Sequence, residues 1–525
     1  MGHLKRRTWL ACLLTVASVL SGSTTATVAA ADASQDQRGL VVATDKGVVR
    51  GMLKDGVREF LGIPYAAPPV GDLRWQPAQA HARWLGVRDA TAFGSPCPQP
   101  AEPGPGSTNE DCLFLNVYTP PNAGPQDRYP VMFWIHGGSL TSGDASQYDP
   151  IELVARGVVV VTINYRLGAL GFLAQQSLAA SVGGPSGDYG LTDQQQALRW
   201  SQGNISGFGG DPQNLTIFGE SAGGLSVHSQ LASPLAHGLF TKAITESGAY
   251  SLVQPSLTQA EASGALYSTS VGCPNQTAAC LRSVPVSTLL ANQAGGYVPN
   301  VDGHVLTQSI GPALESGEFN RVPVMEGTNH DEFRFFVAIA ELSRGQPLTA
   351  AGYEAAIQQT IGAPASAAHI LATVFYPLSS YGGNPSIALG ALGTDAVFAC
   401  SARRSLRFMS AFVPTRQYEF TDDNAPTPFS VSFPMGAFHG SELQYLFGPI
   451  GGVVTSPLSP DQQRLSAAMI SYWTQFAKTG DPNSPKTSFW PAYTTASEPF
   501  QSLVPPSPAT SSGFAAEHQC ALWGG

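Results

Sequence analysis

Gly219-Glu220-Ser221-Ala222-Gly223 is the one G-x-S-x-G in the 525 residues. It carries a hydroxyl that a nearby base would convert into a nucleophile. With 56 glycines in the chain, chance supplies on the order of half an occurrence, so the flanking sequence has to decide. Ahead of it, Asn214-Leu215-Thr216-Ile217-Phe218 reads as a buried strand, and Ala222 to Leu231 after it reads as a helix. A strand that turns directly into a helix brings backbone atoms close together, which calls for small residues at Gly219 and Gly223. The turn lifts the Ser221 hydroxyl above the sheet and places it at a helix N-terminus, where partial positive charge favours developing negative charge. Ser221 is the candidate nucleophile. The bland alternative is a Gly-rich turn without chemistry, and it is weighed against the partners.

Acyl transfer to a serine builds a negative oxygen, and backbone N–H groups aimed at that oxygen are usually its largest stabilising interaction. His136-Gly137-Gly138-Ser139 follows the apolar run Val131 to Ile135 and is the candidate donor loop. The N–H groups of Gly138, Ser139 and Ala222 are the expected donors, with Gly137 supplying room. Where such an elbow works with partners, the chain order is Ser, then acid, then His. His330, His369, His439 and His518 lie well beyond the elbow. His439 sits in Gly436-Ala437-Phe438-His439-Gly440-Ser441, a loop of small residues ahead of an amphipathic helix, with room to swing toward Ser221. His369 falls in a helical stretch and His518 lies close to Cys520, so both read as structural. The acid that must hold the imidazole comes from Asn329-His330-Asp331-Glu332. Residue type barely separates Asp331 from Glu332.

The elements needed to position these groups follow from the pattern. Apolar β-branched runs alternate with amphipathic stretches, which predicts an α/β chain with a large, mostly parallel sheet flanked by helices. Strands are expected over Pro130 to His136, Val158 to Asn164, Leu215 to Gly219 and Val322 to Gly327. Helices are expected over Leu191 to Asn204, Ala222 to Leu231 and Asp461 to Thr479. Gln254 to Val301 and Leu342 to Ala411 interrupt the alternation and read as helical insertions over the site. Lys5, Arg6 and Arg7, the apolar run Trp9 to Leu20 and the small residues up to Ala31 form the layout of a secretory signal peptide over residues 1–30. That leaves residues 31–525 as a single catalytic domain. No later segment reads as long and apolar enough to span a bilayer. Cys12 lies inside the signal, and six cysteines remain: Cys97, Cys112, Cys273, Cys280, Cys400 and Cys520. An even number in an exported chain suggests three disulfides, with the connectivity open. The chain is 43% hydrophobic and 12% charged with a net charge of −10, which excludes disorder and a basic nucleic-acid footprint. No CxxC pair points to zinc or redox work, and the expected chemistry needs no metal or organic cofactor.

These residues lie among longer motifs that resemble the type-B carboxylesterases: GIPYAAPPVGDLRW (62–75), EDCLFLNVYTP (110–120), NYRLGALGFL (164–173), YGLTDQQQALRW (189–200), FGGDP (208–212), FGESAGG (218–224) and YWTQFAKTGDPN (472–483). The resemblance spans nearly the whole mature chain. It implies an α/β-hydrolase fold, with Ser221 as nucleophile, Glu332 rather than Asp331 as acid, and His439 as base. It also implies disulfides Cys97–Cys112, Cys273–Cys280 and Cys400–Cys520, and scaffold ion pairs Arg74–Glu110 and Arg166–Asp193. Three departures bear on the loop geometry or the specificity of the site. Phe333 follows the acid where relatives carry Gly, and the oxyanion loop reads HGGSL rather than HGGGF or HGGAF. The segment between Cys97 and Cys112 lacks the Trp with which cholinesterases bind a cation, so choline esters are not the expected preferred substrate.

The expected activity is hydrolysis of small to medium neutral carboxylic esters by a secreted enzyme, through an acyl-enzyme. The expected partner is a small-molecule ester, with no nucleic acid and no membrane anchor once the signal is cleaved. A lipase, or an amide or carbamate hydrolase, would use the same triad. A non-catalytic binding protein on this fold would typically have lost Ser221 or His439.

Overall fold

The computed structural model describes residues 39–101, 104–293, 295–452 and 455–524. The expected signal peptide, residues 1–30, lies outside the described residues.

Among the described residues, fourteen strands, β1 to β14, follow one another along the chain. A small sheet joins β1 (Val41–Ala43), β2 (Val48–Arg50) and β5 (Val87–Asp89). The remaining strands are β3 (Met52–Lys54), β4 (Val57–Pro64), β6 (Phe114–Thr119), β7 (Tyr129–Ile135), β8 (Val159–Ile163), β9 (Gly210–Glu220) and β10 (Lys242–Glu246). They continue with β11 (Val324–Asn329), β12 (Thr415–Phe420), β13 (Phe500–Leu503) and β14 (Ala509–Ser511). These eleven form one sheet in the order β14-β13-β12-β11-β10-β9-β7-β8-β6-β4-β3. Pairing is parallel from β8 through β13 and antiparallel at both edges.

The sequence explains the parallel centre. β8 (VVVTI) is buried at every position, as a strand covered on both faces must be. β-Branched residues suit that pleated, enclosed surface. The helix Ala222–Ala232 is likewise buried along its whole length. It packs against β9 and β10, so the segment leaving the elbow is fixed from every side. The helix Pro460–Thr479 starts with a capping box, Ser459 with Gln462, and ends at Gly480 in the left-handed region.

The expected strands and helices are all present, with ends displaced by a few residues. Both interrupting segments are helical: Leu257–Ser270, Ala278–Ser283 and Val286–Asn292 in the first, Tyr353–Ile361 and Cys400–Met409 among those in the second. Two readings are corrected. The run Pro385–Met409 does have the length and hydropathy to cross a membrane, but 67% of its most apolar window is buried inside the protein. Its apolar residues serve the core. The helix after His439 is a single turn, Gln444–Phe447, with Tyr445, Leu446 and Phe447 buried, rather than an amphipathic helix with a wet face.

The structure joins Cys97 to Cys112, Cys273 to Cys280 and Cys400 to Cys520. Three disulfides are the covalent pattern of a chain that matures in an oxidising compartment. Arg74 meets Glu110 through two bonds of 2.7 and 2.6 Å, and buried Arg166 meets Asp193 through bonds of 2.8 and 2.7 Å.

Candidate active site

The site gathers at the C-terminal ends of the parallel strands, where open α/β sheets leave a crevice. β7 delivers the loop from His136 to Gly143. β9 delivers Ser221, β11 delivers Asp331 and Glu332, and the connection after β12 delivers His439. A cavity of about 700 Å³ opens there, with Gly137, Gly138, Ser139, Ser221 and His439 on its wall. Its apolar side comes from Phe335, Phe336, Pro428, Phe429, Phe438 and Leu443. The two helical insertions do not supply these residues, although Phe398 of the second packs on the His439 ring at 5.0 Å.

Ser221 occupies φ 55°, ψ −120°, a conformation that L residues rarely adopt. Its N–H donates to Glu246 O at 2.9 Å and its carbonyl accepts from Leu225 N at 2.8 Å. The glycines around it are sterically required. A Cβ on Gly223 would meet Ile135 O at 2.0 Å, and one on Gly219 would meet the same oxygen at 2.6 Å. In the loop after β7, Gly138, Ser139 and Leu140 all have positive φ. Among the described residues, none of the hydrogen bonds of turns and loops is donated by the N–H of Gly138, Ser139 or Ala222.

Glu332 and His439 are joined by a 2.6 Å hydrogen bond between Oε2 and Nδ1. The other carboxylate oxygen, Oε1, accepts Asn329 N–H at 2.8 Å. The loops carrying the two side chains are stitched together: Asp331 N to Ala437 O at 3.0 Å, Ala437 N to Asp331 Oδ2 at 3.1 Å, and Asn329 Nδ2 to Phe438 O at 2.8 Å. Asp331 therefore holds the histidine loop and Arg334 (2.9 Å), while Glu332 touches the imidazole. No hydrogen bond links Ser221 Oγ to the imidazole among the described residues. The His439 Nε2 atom stands 3.3 Å from Glu220 Oε1.

A profile of the Carboxylesterase family matches residues 38–523. The chain is 35% identical over 478 residues to the para-nitrobenzyl esterase of Bacillus subtilis (strain 168), covering 86% of this chain and 92% of that one. It is 34% identical over 481 residues to the fumonisin B1 esterase of Sphingopyxis macrogoltabida, covering 88% and 86%. Among solved structures, a PNB esterase superposes with a TM-score of 0.78 at 32% identity, over 92% of this chain and 99% of the other. A thermophilic PNB esterase gives a TM-score of 0.79 at 32% identity, with the same coverage. This chain belongs to the carboxylesterase family.

The carboxylesterase places more charge near the imidazole than its sequence motifs reveal. Burial pulls His439 down, but the Glu220 and Glu332 carboxylates and the bond to Glu332 outweigh it and raise the group to about 9. Burial pushes Glu220 up to about 7, with the imidazole pulling it down and Glu332 pushing it up. Burial pushes Glu246 up to about 8, against the Trp473 indole N–H that donates to it at 2.9 Å. Glu442 rises well above the carboxylate range because it is buried beside Glu220, Glu332 and Glu246, and it accepts a bond from Asn329 Nδ2. Glu220 and Glu442 escaped the sequence reading. Their only signal is adjacency, Glu220 directly before Ser221 and Glu442 three residues after His439.

His518 is held between Asp395 and Glu419 at 2.7 and 2.6 Å, away from the cavity wall. His369 pairs with Glu354 at 2.9 Å on the surface. Among the described residues, no group of three or more His, Cys, Asp or Glu side chains is arranged to hold a metal ion.

Proposed function

We propose that this carboxylesterase hydrolyses small to medium neutral esters through a Ser221–Glu332–His439 triad and an acyl-enzyme. The observation that carries the reading is the Glu332–His439 bond, made at the mouth of the elbow that carries Ser221. A carboxylate on Nδ1 keeps the proton there and leaves Nε2 free to take the proton of Ser221. The Ser221 oxygen attacks the carbonyl carbon, and the resulting oxyanion is received by the N–H groups of Gly138, Ser139 and Ala222. Imidazolium then protonates the leaving alcohol, and a water activated by the same Nε2 releases the acid. The Ser–His bond is often long in ligand-free hydrolases and tightens with substrate, so the Nε2–Glu220 contact is compatible with this role.

The cavity supports the substrate class. Among the described residues, its wall carries Phe, Pro and Leu and no Lys or Arg, which favours neutral esters over anionic ones. The choice between esterase and lipase rests on chain length. We also propose that the protein is exported, from the basic and apolar start at residues 1–30 and the three disulfides.

The test is turnover of p-nitrophenyl esters from acetate to palmitate by wild type and Ser221→Ala. The expected result is a loss of several orders of magnitude in the variant and an optimum at short to medium acyl chains. Equal rates in the two proteins would remove Ser221 from the mechanism. An optimum at palmitate, with a jump in rate above the solubility limit, would favour a lipase.

A further inference from the structure

The loop after β7 is bent through four residues in the left-handed region: Gly138 (φ 101°), Ser139 (φ 57°), Leu140 (φ 58°) and Gly143 (φ 103°). Such a segment persists only where its surroundings over-determine it. One carbonyl organises the first half. Gly138 O accepts from Thr141 N and Ser142 N at 3.0 Å each, and from the hydroxyls of Thr141 and Ser142 at 3.3 and 3.2 Å. In a trans peptide the C=O and the following N–H point in opposite directions. Pinning Gly138 O inside the turn therefore turns Ser139 N–H outward, and Ser139 lies on the cavity wall.

The second half is gripped by a side chain from elsewhere. Gln99 Oε1 accepts Gly143 N–H at 2.8 Å, and Gln99 Nε2 donates to Gly143 O at 2.9 Å. Both ends of the amide are used on one residue, which only Asn or Gln can do. Gly143 itself abuts the start of the loop: a Cβ there would lie 2.6 Å from His136 Nδ1 and 2.7 Å from Gly137 O. A shift of Gly143 would be felt at Gly137. Gln99 is 1% exposed. Its backbone pairs with Ser107 in both directions at 3.0 Å, inside the loop closed by Cys97 and Cys112. The clamp is thus anchored covalently on its far side.

We propose that Gln99 is a positioning residue for the oxyanion-binding N–H groups. Its amide, backed by the Cys97–Cys112 disulfide, holds Gly143 and through it the Gly137–Ser139 backbone in the geometry the transition state requires. The inference rests on the serine-esterase reading of the same site. Preorganised donors lower the barrier because they do not have to reorganise during the reaction. Loosening them penalises the transition state more than the bound ester.

The experiment compares the full-length wild type, Gln99→Ala and Gln99→Glu on p-nitrophenyl butyrate. Active sites are counted by titration with a fluorophosphonate, and inhibition by a trifluoromethyl ketone is measured alongside. In both variants kcat per titrated site is expected to fall at least about tenfold, a partial form of the loss seen when an oxyanion donor is deleted. KM should stay within about twofold, and the ketone inhibition constant should rise by a factor similar to the fall in kcat. Gln99→Glu keeps the size and the acceptor for Gly143 N–H, and its ionised form cannot donate to Gly143 O, so at alkaline pH it reports even if Gln99→Ala folds poorly. A kcat per titrated site within about twofold of wild type in a folded variant, whatever happens to its melting temperature, overturns the proposal and leaves Gln99 structural. A wild type that is neither titrated nor slowed by Ser221→Ala instead overturns the esterase reading on which it stands.

Discussion

Replacing Glu332 by Gln changes one atom and tests the imidazole directly. Glu332 is fully buried, and its two oxygens have different partners: Oε1 accepts Asn329 N–H at 2.8 Å and Oε2 accepts from His439 Nδ1 at 2.6 Å. A backbone N–H can only donate, so the carbonyl oxygen of a Gln side chain must take the Oε1 position. Its NH₂ then faces Nδ1 and donates to it. That forces the ring proton onto Nε2, the atom that has to accept from Ser221. The penalty for the wrong tautomer in a comparable triad is about 10,000-fold in kcat, or about 5.4 kcal/mol of barrier. The assay is kcat on p-nitrophenyl butyrate per titrated site, with a melting curve to show that the variant is folded. Asp331→Asn is the control. Asp331 bonds Ala437 N and Arg334 rather than the imidazole, so its loss should cost about tenfold or less through loop displacement. A folded Glu332→Gln that keeps more than about a tenth of wild-type kcat would refute the tautomer argument. A larger loss for Asp331→Asn than for Glu332→Gln would mean that the wrong carboxylate has been assigned.

The other two predictions concern pH. Glu220 is the largest of the influences raising His439 to about 9, and it is itself held near 7, so it is ionised where the histidine titrates. Glu220→Gln should lower the histidine and move the acid limb of kcat/KM to lower pH by about one unit, since an opposite charge at this distance is worth about that much or more. An acid limb that stays put or moves upward would show that Glu220 does not act on His439. For His518, burial lowers the group, but the bonds to Asp395 and Glu419 outweigh it and raise it to about 9. Its folded value lies above the usual histidine value of about 6.5. The stabilisation it gives is therefore complete below about 6.5 and lost as pH rises through about 9. His518→Gln should melt lower than wild type at pH 6, with the gap closing toward pH 10; parallel melting curves across that range would rule out the linkage.

What was legible in the sequence was whatever short-range chemistry dictates. The elbow could be read because Gly219 and Gly223 flank Ser221 on a strand and a helix whose patterns are local. The run Val158 to Asn164 reads as a strand from its β-branched composition, and VVVTI within it is buried at every position. The choice of Glu332 over Asp331 came from resemblance, and the physical reason appears only in three dimensions: Asp331 turns toward Ala437 and Arg334 while Glu332 turns toward the ring. The helix expected after His439 failed because a few buried apolar positions in sequence look alike in a one-turn helix and in a longer one. In sequence, Pro385–Met409 does not stand out as a potential span because Thr394, Asp395, Arg403, Arg404 and Arg407 interrupt its apolar run. Gln99 gave no signal at all, since its partner Gly143 lies beyond strands β6 and β7 in the chain.

The crowding of carboxylates has a physical logic that the motifs alone conceal. Glu220, Glu246, Glu332 and Glu442 are all buried and act on one another, and Glu220 and Glu332 act on the His439 imidazole. Four full negative charges in that volume would repel one another and would each lose their hydration. Burial and mutual repulsion instead raise Glu220 to about 7, Glu246 to about 8 and Glu442 well above the carboxylate range. Glu332 has other partners as well: it accepts a backbone N–H from Asn329 and a ring N–H from His439. Glu220, Glu246 and Glu442 form a reserve of negative potential that grows as pH rises and, in the proposed mechanism, favours the imidazolium produced when Ser221 loses its proton. The same potential opposes a negatively charged substrate, which is a second reason, beside the apolar wall, to look for the natural substrate among neutral esters.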